Sequence, residues 1–317
     1  MKSLADLQSE AVCTVPKVPS WARPRAHEPG ETNAAYLVGA AMNSLDSLVR
    51  AENGWAGVWR GRLALRAAGA LVQLSGRVEE EAALRDAITF RSAGDDPGPS
   101  GRVLLAWRRL GDRGTDLCED AVRPVAELLE IKWDEAISEI VANAEDMVTS
   151  TRPAPIIAAE IAAELCRARP DAEALGFWLA DAILAQKFRW PIPVPLLASQ
   201  VLDPVLKSGG RRRRIRPGDD EWGRAVMLAY AKAAADACDL GVELAHRRDR
   251  LLEVAPTLRS KGSGDIIRLL LNQDAVPGSW SSSRISARGA RRLFDRLQEL
   301  GAVRELSGRP SFRLYGL

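Results

Sequence analysis

Ser286-Ala287-Arg288-Gly289-Ala290-Arg291-Arg292-Leu293-Phe294-Asp295-Arg296-Leu297-Gln298-Glu299-Leu300-Gly301 reads as a helix with both of its ends marked. Ser286 is an N-cap residue, because its hydroxyl can accept from an otherwise unpartnered amide of the first turn. Gly301 supplies the C-terminal stop. On a 3.6-residue wheel Ala290, Leu293, Phe294, Leu297 and Leu300 share one side, and Arg288, Arg291, Arg292, Asp295 and Glu299 share the other. The arginines crowd the first half, where a recognition helix carries its base- and phosphate-contacting side chains. Their forks suit guanine edges and phosphates alike.

The flanks extend this helix into a module. Downstream, Ala302–Leu306 reads as a strand, Ser307-Gly308-Arg309-Pro310 as a turn and Ser311–Tyr315 as the returning strand, with Arg309 at the tip of the wing. Upstream, Pro256 ends a long helix, Gly262-Ser263-Gly264 is a hinge, and Ile266–Leu271 form a short buried helix. Val276–Ser283 is where the second helix of a helix-turn-helix belongs, although its serines and glycine make it a poor one. The element order is that of a winged helix-turn-helix. Arg284, Ser286, Arg288, Arg291, Arg292 and Arg309 are its candidate nucleic-acid-binding residues.

Charge points the same way. Pro256–Leu317 holds eleven Lys/Arg against five Asp/Glu, a balance of +6, while residues 1–255 balance at −4. A basic terminal module on a mildly acidic body is the split expected when only the module meets a polyanion. Arginine is abundant throughout the chain, so an Arg-rich overall composition is the alternative source of that balance.

The remaining residues read as helix, rich in Ala and Leu and short of β-branched runs. Residues 1–30, with Pro16, Pro19, Pro24 and Pro29, read as a Pro-rich arm pinned over the body by Trp21. Helices are predicted from Glu31, over Ala56–Leu74, from Glu79 to about Phe90, and near 101–110, 116–130 and 133–149. Others fall at Ile156–Arg169, Asp171–Phe188 and, longest of all, Asp219–Val254. The Ala56–Leu74 helix is apolar on most of its surface and is therefore placed centrally.

Several stretches invite a functional reading and a plainer one. Gly94–Gly101 lacks the GxxxxGK[ST] spacing of a phosphate loop and reads as a Pro/Gly linker. Arg189–Pro195 has the alternating prolines of an SH3-like ligand, but also of a structural corner followed by a short helix to Leu202. Arg211–Arg216 could meet phosphates, or be a solvated loop neutralised by Asp219, Asp220 and Glu221.

Cys13, Cys118, Cys166 and Cys238 are far apart, so neither a disulfide framework nor a metal site is expected. His27 and His246, the only histidines, have no Ser or Cys partner, and no catalytic residue, cofactor or metal is expected. No signal peptide opens the chain and no apolar run reaches membrane-spanning length, so a cytoplasmic protein without membrane contact is expected.

The chain resembles an uncharacterised bacterial family, domain of unknown function 1403, over nearly its whole length. The resemblance is carried by Leu63–Ala68, Gly94–Pro99 with Arg102–Leu110, Phe177–Asp181, Pro193–Leu197 and the tail Arg291–Leu317. It implies no activity. The second half is also faintly similar to Fic-type proteins that end in a winged helix, through Pro195-Leu196-Leu197 and Ser307-Gly308-Arg309; the His-Pro-Phe and Gly-Asn-Gly-Arg motifs of those enzymes are absent. AMP transfer is therefore not expected.

The reading is a mainly α protein: a Pro-rich arm (1–30), a multi-helical body (31–255) and a C-terminal winged helix-turn-helix with a short β-hairpin wing (256–317). The expected function is DNA binding, as in a transcriptional regulator, with the body sensing or dimerising to give a homodimer. The alternative is a non-catalytic scaffold whose winged helix binds a protein partner.

Overall fold

A computed structural model describes residues 14–25, 30–92, 94–112, 117–208, 213–309 and 311–317. The chain is mainly helical with one small sheet. The helices of the body are α1 (Glu31–Arg50), α2 (Ala56–Leu74), α3 (Glu81–Thr89), α4 (Gly98–Asp112), α5 (Glu119–Leu128), α6 (Glu135–Thr149), α7 (Ala154–Ala168), α8 (Glu173–Lys187) and α9 (Trp222–Val254). The C-terminal part holds α10 (Ser263–Asn272), β1 (Val276–Pro277), α11 (Ala287–Glu299), β2 (Arg304–Glu305) and β3 (Leu314–Gly316). No helix among the described residues is long and apolar enough to cross a membrane.

Packing follows the apolar faces. α1 lies along α9, α7 against α8, and α2 meets α4, α3, α10 and the 3-10 turn Leu197–Gln200. The central place expected of α2 is the one it occupies. Three buried indoles tie the helices crosswise: Trp59 donates to the Ala237 carbonyl at 2.9 Å, Trp178 to Ala106 at 3.0 Å and Trp222 to Ala159 at 2.8 Å. Each tie satisfies a ring N–H that burial would otherwise leave unpaired.

Two of the stretches that carry the family resemblance form one device. Asp181, on α8, is fully buried, and its carboxylate accepts from the Leu196 amide at 2.8 Å and the Leu197 amide at 3.1 Å. It thereby caps the 3-10 turn that follows the Pro193-Val194-Pro195 corner. The passage is thus built into the core, with Val194 and Leu196 buried, and the short helix expected up to Leu202 is that 3-10 turn. Burial pushes the Asp181 carboxyl up to about 7, against the pull of the two amide bonds.

The arm is held differently from the expectation. Val15, Val18 and Ala22 are buried and Arg23 makes a two-pronged pair with Asp239 of α9, at 2.8 and 2.7 Å. Trp21 is 58% exposed and rests on Tyr36 of α1, with ring centroids 5.7 Å apart. Residues 1–13 and 26–29, with Cys13 and His27, lie outside the described residues, as does Gly209–Arg212 of the arginine loop. Arg213 pairs with Asp219 at 2.9 Å and Arg214 with Glu173 at 2.8 Å, so that part of the loop is neutralised. Cys166 and Cys238 are free thiols that burial pushes up to about 12, which makes them unreactive.

The C-terminal part is where the structure departs most from the reading. The three strands form an antiparallel sheet in the order β1-β3-β2, with Val276 opposite Tyr315 and Arg304 opposite Gly316. Among the described residues no second helix forms between α10 and α11. Val276-Pro277 pairs with β3, Gly278 donates to the Arg313 carbonyl at 2.8 Å, and Ser282–Ile285 closes a tight turn. Pro277 has no amide to give a helix, and the serines favour turn hydrogen bonds over helical ones. The expected Gly262 hinge is packed too, since a Cβ there would stand 2.6 Å from Cβ of Ile285.

Candidate nucleic-acid interface

α11 forms as its sequence dictates. The Ser286 hydroxyl accepts from the Gly289 amide at 3.2 Å, and Gly301 ends the helix with a φ of 68°. Ala290, Leu293, Phe294 and Leu297 are buried, and the Phe294 ring stacks on Tyr315 of β3 with centroids 4.5 Å apart and planes 4° from parallel. The apolar face is thus fixed to the sheet, and the opposite face is set by it.

That opposite face is exposed. Arg288, Arg291 and Arg292 all lie on it, and among the described residues none has a carboxylate within ion-pair distance. Arg284, just before the helix, is exposed and stands 3.8 Å from Asp265, which also pairs with Arg268. At the other end Arg296 is paired with Glu299 at 3.0 Å. Charge without a partner is therefore concentrated at the N-terminal half of α11. Arg291 also borders a hollow of about 340 Å³ beside Phe312 and Arg313.

Arg309 is not part of this group. It pairs with Asp86 of α3, and next to it Phe312, in the left-handed region at φ 55°, sets its ring edge-on to Phe90 with centroids 5.6 Å apart. The wing therefore lies on the body. Of the six candidate residues the structure brings Arg288, Arg291 and Arg292 together, places Arg284 and the cap Ser286 at their entrance, and sends Arg309 to α3.

Behind the exposed face lies a cluster that sequence reasoning missed. Asp274, between α10 and β1, is 2% exposed and is gripped by Arg62 of α2 and by Arg85 of α3, the latter at 2.5 Å. Burial alone would push the Asp274 carboxyl up; the two guanidiniums outweigh it and hold it below the usual carboxylate value. Arg62 also donates to the Leu317 carbonyl at 3.4 Å, as does Arg304, which reaches Glu243 of α9 at 3.3 Å. The available signal was an acid set between two apolar runs, Leu269–Leu271 and Ala275-Val276. Gly57 completes the joint, because any Cβ there would stand 2.8 Å from Cα of Asn272.

Glu160 pairs with Arg152 at the surface, and Asp181 is the buried cap described above. Among the described residues no group of three or more His, Cys, Asp or Glu side chains could hold a metal ion.

No curated protein matches the chain. The family model described as "Protein of unknown function (DUF1403)" matches residues 6–317, and the chain belongs to that family.

Proposed function

We propose that this is a DNA-binding protein, acting as a transcriptional regulator, that meets duplex DNA through the arginine face of α11. The observation that carries the reading is the exposure of Arg288, Arg291 and Arg292 without carboxylate partners among the described residues, on a helix whose other face is locked to a sheet. A helix presented this way fits the major groove, and its arginines suit phosphates and guanine edges. The order α10, β1, α11, β2, β3 and the sheet order β1-β3-β2 support a winged-helix ancestry for the module, one without the second helix. In this reading the helical body senses or dimerises.

A second reading is favoured by two observations. The wing arginine Arg309 is held by Asp86, and the helix that would cross the phosphate backbone is missing from the described residues, so the same face could instead receive an acidic protein. Fluorescence polarisation of the full chain with a labelled duplex at low ionic strength separates the two. The DNA reading expects salt-dependent binding that falls at least tenfold in the Arg288→Ala/Arg291→Ala/Arg292→Ala variant at unchanged thermal stability. Absence of binding by the parent protein sinks it, and a stoichiometric protein partner free of nucleic acid would establish the scaffold reading.

A further inference from the structure

The segment between α9 and α10 carries two cations that the reading of α11 does not use. The Leu258 amide donates to the Ala255 carbonyl at 3.2 Å, and the amide and hydroxyl of Ser263 both donate to the Ser260 carbonyl, at 3.1 and 2.9 Å. Leu258 packs against the core and Gly262 is buried. Between them Arg259 and Lys261 are exposed, and among the described residues neither has a carboxylate within ion-pair distance.

Two contacts set this segment beside the start of α11. Ile285 acts as a wedge: a Cβ on Gly262 would stand 2.6 Å from its Cβ, and a Cβ on Gly289, in the first turn of α11, 3.0 Å from its Cγ1. Lys261 is the neighbour of Gly262 and Arg288 the neighbour of Gly289, so these exposed cations flank the same wedge. Arg284 stands 3.8 Å from Asp265 of α10, which Arg268 also engages. Arg259, Lys261, Arg284 and Arg288 are thus gathered at this end of α11 around the half-buried Asp265. Exposed cations spread over two segments suit a polymer whose phosphates each take one charge, whereas a small anion needs groups that converge on it.

We propose that Arg259 and Lys261 bind the DNA backbone, holding two phosphates beside the stretch that α11 reads. The inference rests on the DNA reading of α11 given above. It gives the segment between α9 and α10 the clamping place that a second helix and a free wing would otherwise take. Contacts to phosphate add affinity and fix the register of α11 on the duplex without adding sequence preference.

Fluorescence polarisation of the full chain with a labelled duplex, repeated over a range of salt, tests this in an Arg259→Ala/Lys261→Ala variant. Its thermal stability is expected to match that of the parent, because both positions are exposed. The slope of log K against log salt is expected to fall by about 1.8, about 0.9 for each phosphate no longer neutralised, and equally on every duplex sequence. Arg259→Lys/Lys261→Arg is expected to keep the parent's slope. A single uncharged methylphosphonate linkage, moved along the duplex, is expected to weaken the parent at phosphates where it leaves the Ala variant unaffected. A parent-like slope in the Ala variant, while Arg288→Ala/Arg291→Ala/Arg292→Ala lowers it, would overturn this inference and leave the α11 reading standing. A loss that differs between duplex sequences would overturn it as well. Absence of duplex binding by the parent would overturn both.

Discussion

Arg62 and Arg85 on one side of the C-terminal part, and Arg288, Arg291 and Arg292 on the other, are the same residue in opposite settings. The first two are buried against one carboxylate that came from more than 180 residues further along the chain, Asp274. The other three face solvent and have no such partner among the described residues. A guanidinium removed from water must be paired, so the buried set is structural and holds the α10–β1 joint against α2 and α3. An exposed guanidinium keeps its charge available to a mobile polyanion. The contrast teaches that a count of arginines is no guide by itself to where a polyanion would bind; burial and pairing sort them first.

The sharpest way to break the comparison is Asp274→Ala. It leaves Arg62 and Arg85 buried without their counter-charge, and a loss of about 3–5 kcal/mol is expected in denaturant unfolding. Arg288→Ala, by contrast, should leave unfolding within about 0.5 kcal/mol of the parent. A small effect at Asp274 would mean that the joint is held by apolar packing alone.

The next test uses pH, because the two buried carboxylates titrate in opposite senses. Asp274 sits below its ordinary 3.8, so its contribution is present above that value and is lost as pH falls through its lower folded value. Asp181 is raised from 3.8 to about 7. Its contribution is present below 3.8 and is lost as pH rises toward 7, since the folded chain then holds a proton that the unfolded chain has released. Asp181→Asn should flatten the stability profile between about pH 4 and 7 and leave the acid limb to Asp274. An unchanged slope in that variant would remove Asp181 from the account.

These settings differ in how far they can be read from sequence. The bounds predicted for α2 are those observed, and Ser286 and Gly301 stand at the ends of α11, because caps, stops and apolar period are local signals. Which face of α11 is buried follows from the same period. The partners of Asp274 and Arg309 do not, since Arg62, Arg85 and Asp86 come from helices whose neighbours are set only by tertiary packing. At Val276–Ser283 the expectation of a second helix rests on element order, while Pro277, Gly278 and the serines argue locally against it; the local chemistry prevails. The anchoring of the arm shows the same limit: a large aromatic such as Trp21 suggests a pin, yet the smaller Val15, Val18 and Ala22 are what became buried.

The smallest effect is expected where the comparison blurs. Arg309 is half exposed yet paired with Asp86, so it belongs to neither set. A double-mutant cycle of Arg309→Ala with Asp86→Ala should give a coupling of about 0–1 kcal/mol that fades with added salt. A larger coupling would make the wing a structural strap of the same kind as the Asp274 joint.

The central claim is that α11 offers its arginines to DNA, and the salt dependence of duplex binding by the full chain tests it most directly. A plot of log K against log salt should be linear, and its slope should fall by roughly 2.7 when Arg288, Arg291 and Arg292 are changed together to Ala, about 0.9 for each phosphate no longer neutralised. An identical slope in the parent and the triple variant would contradict the claim.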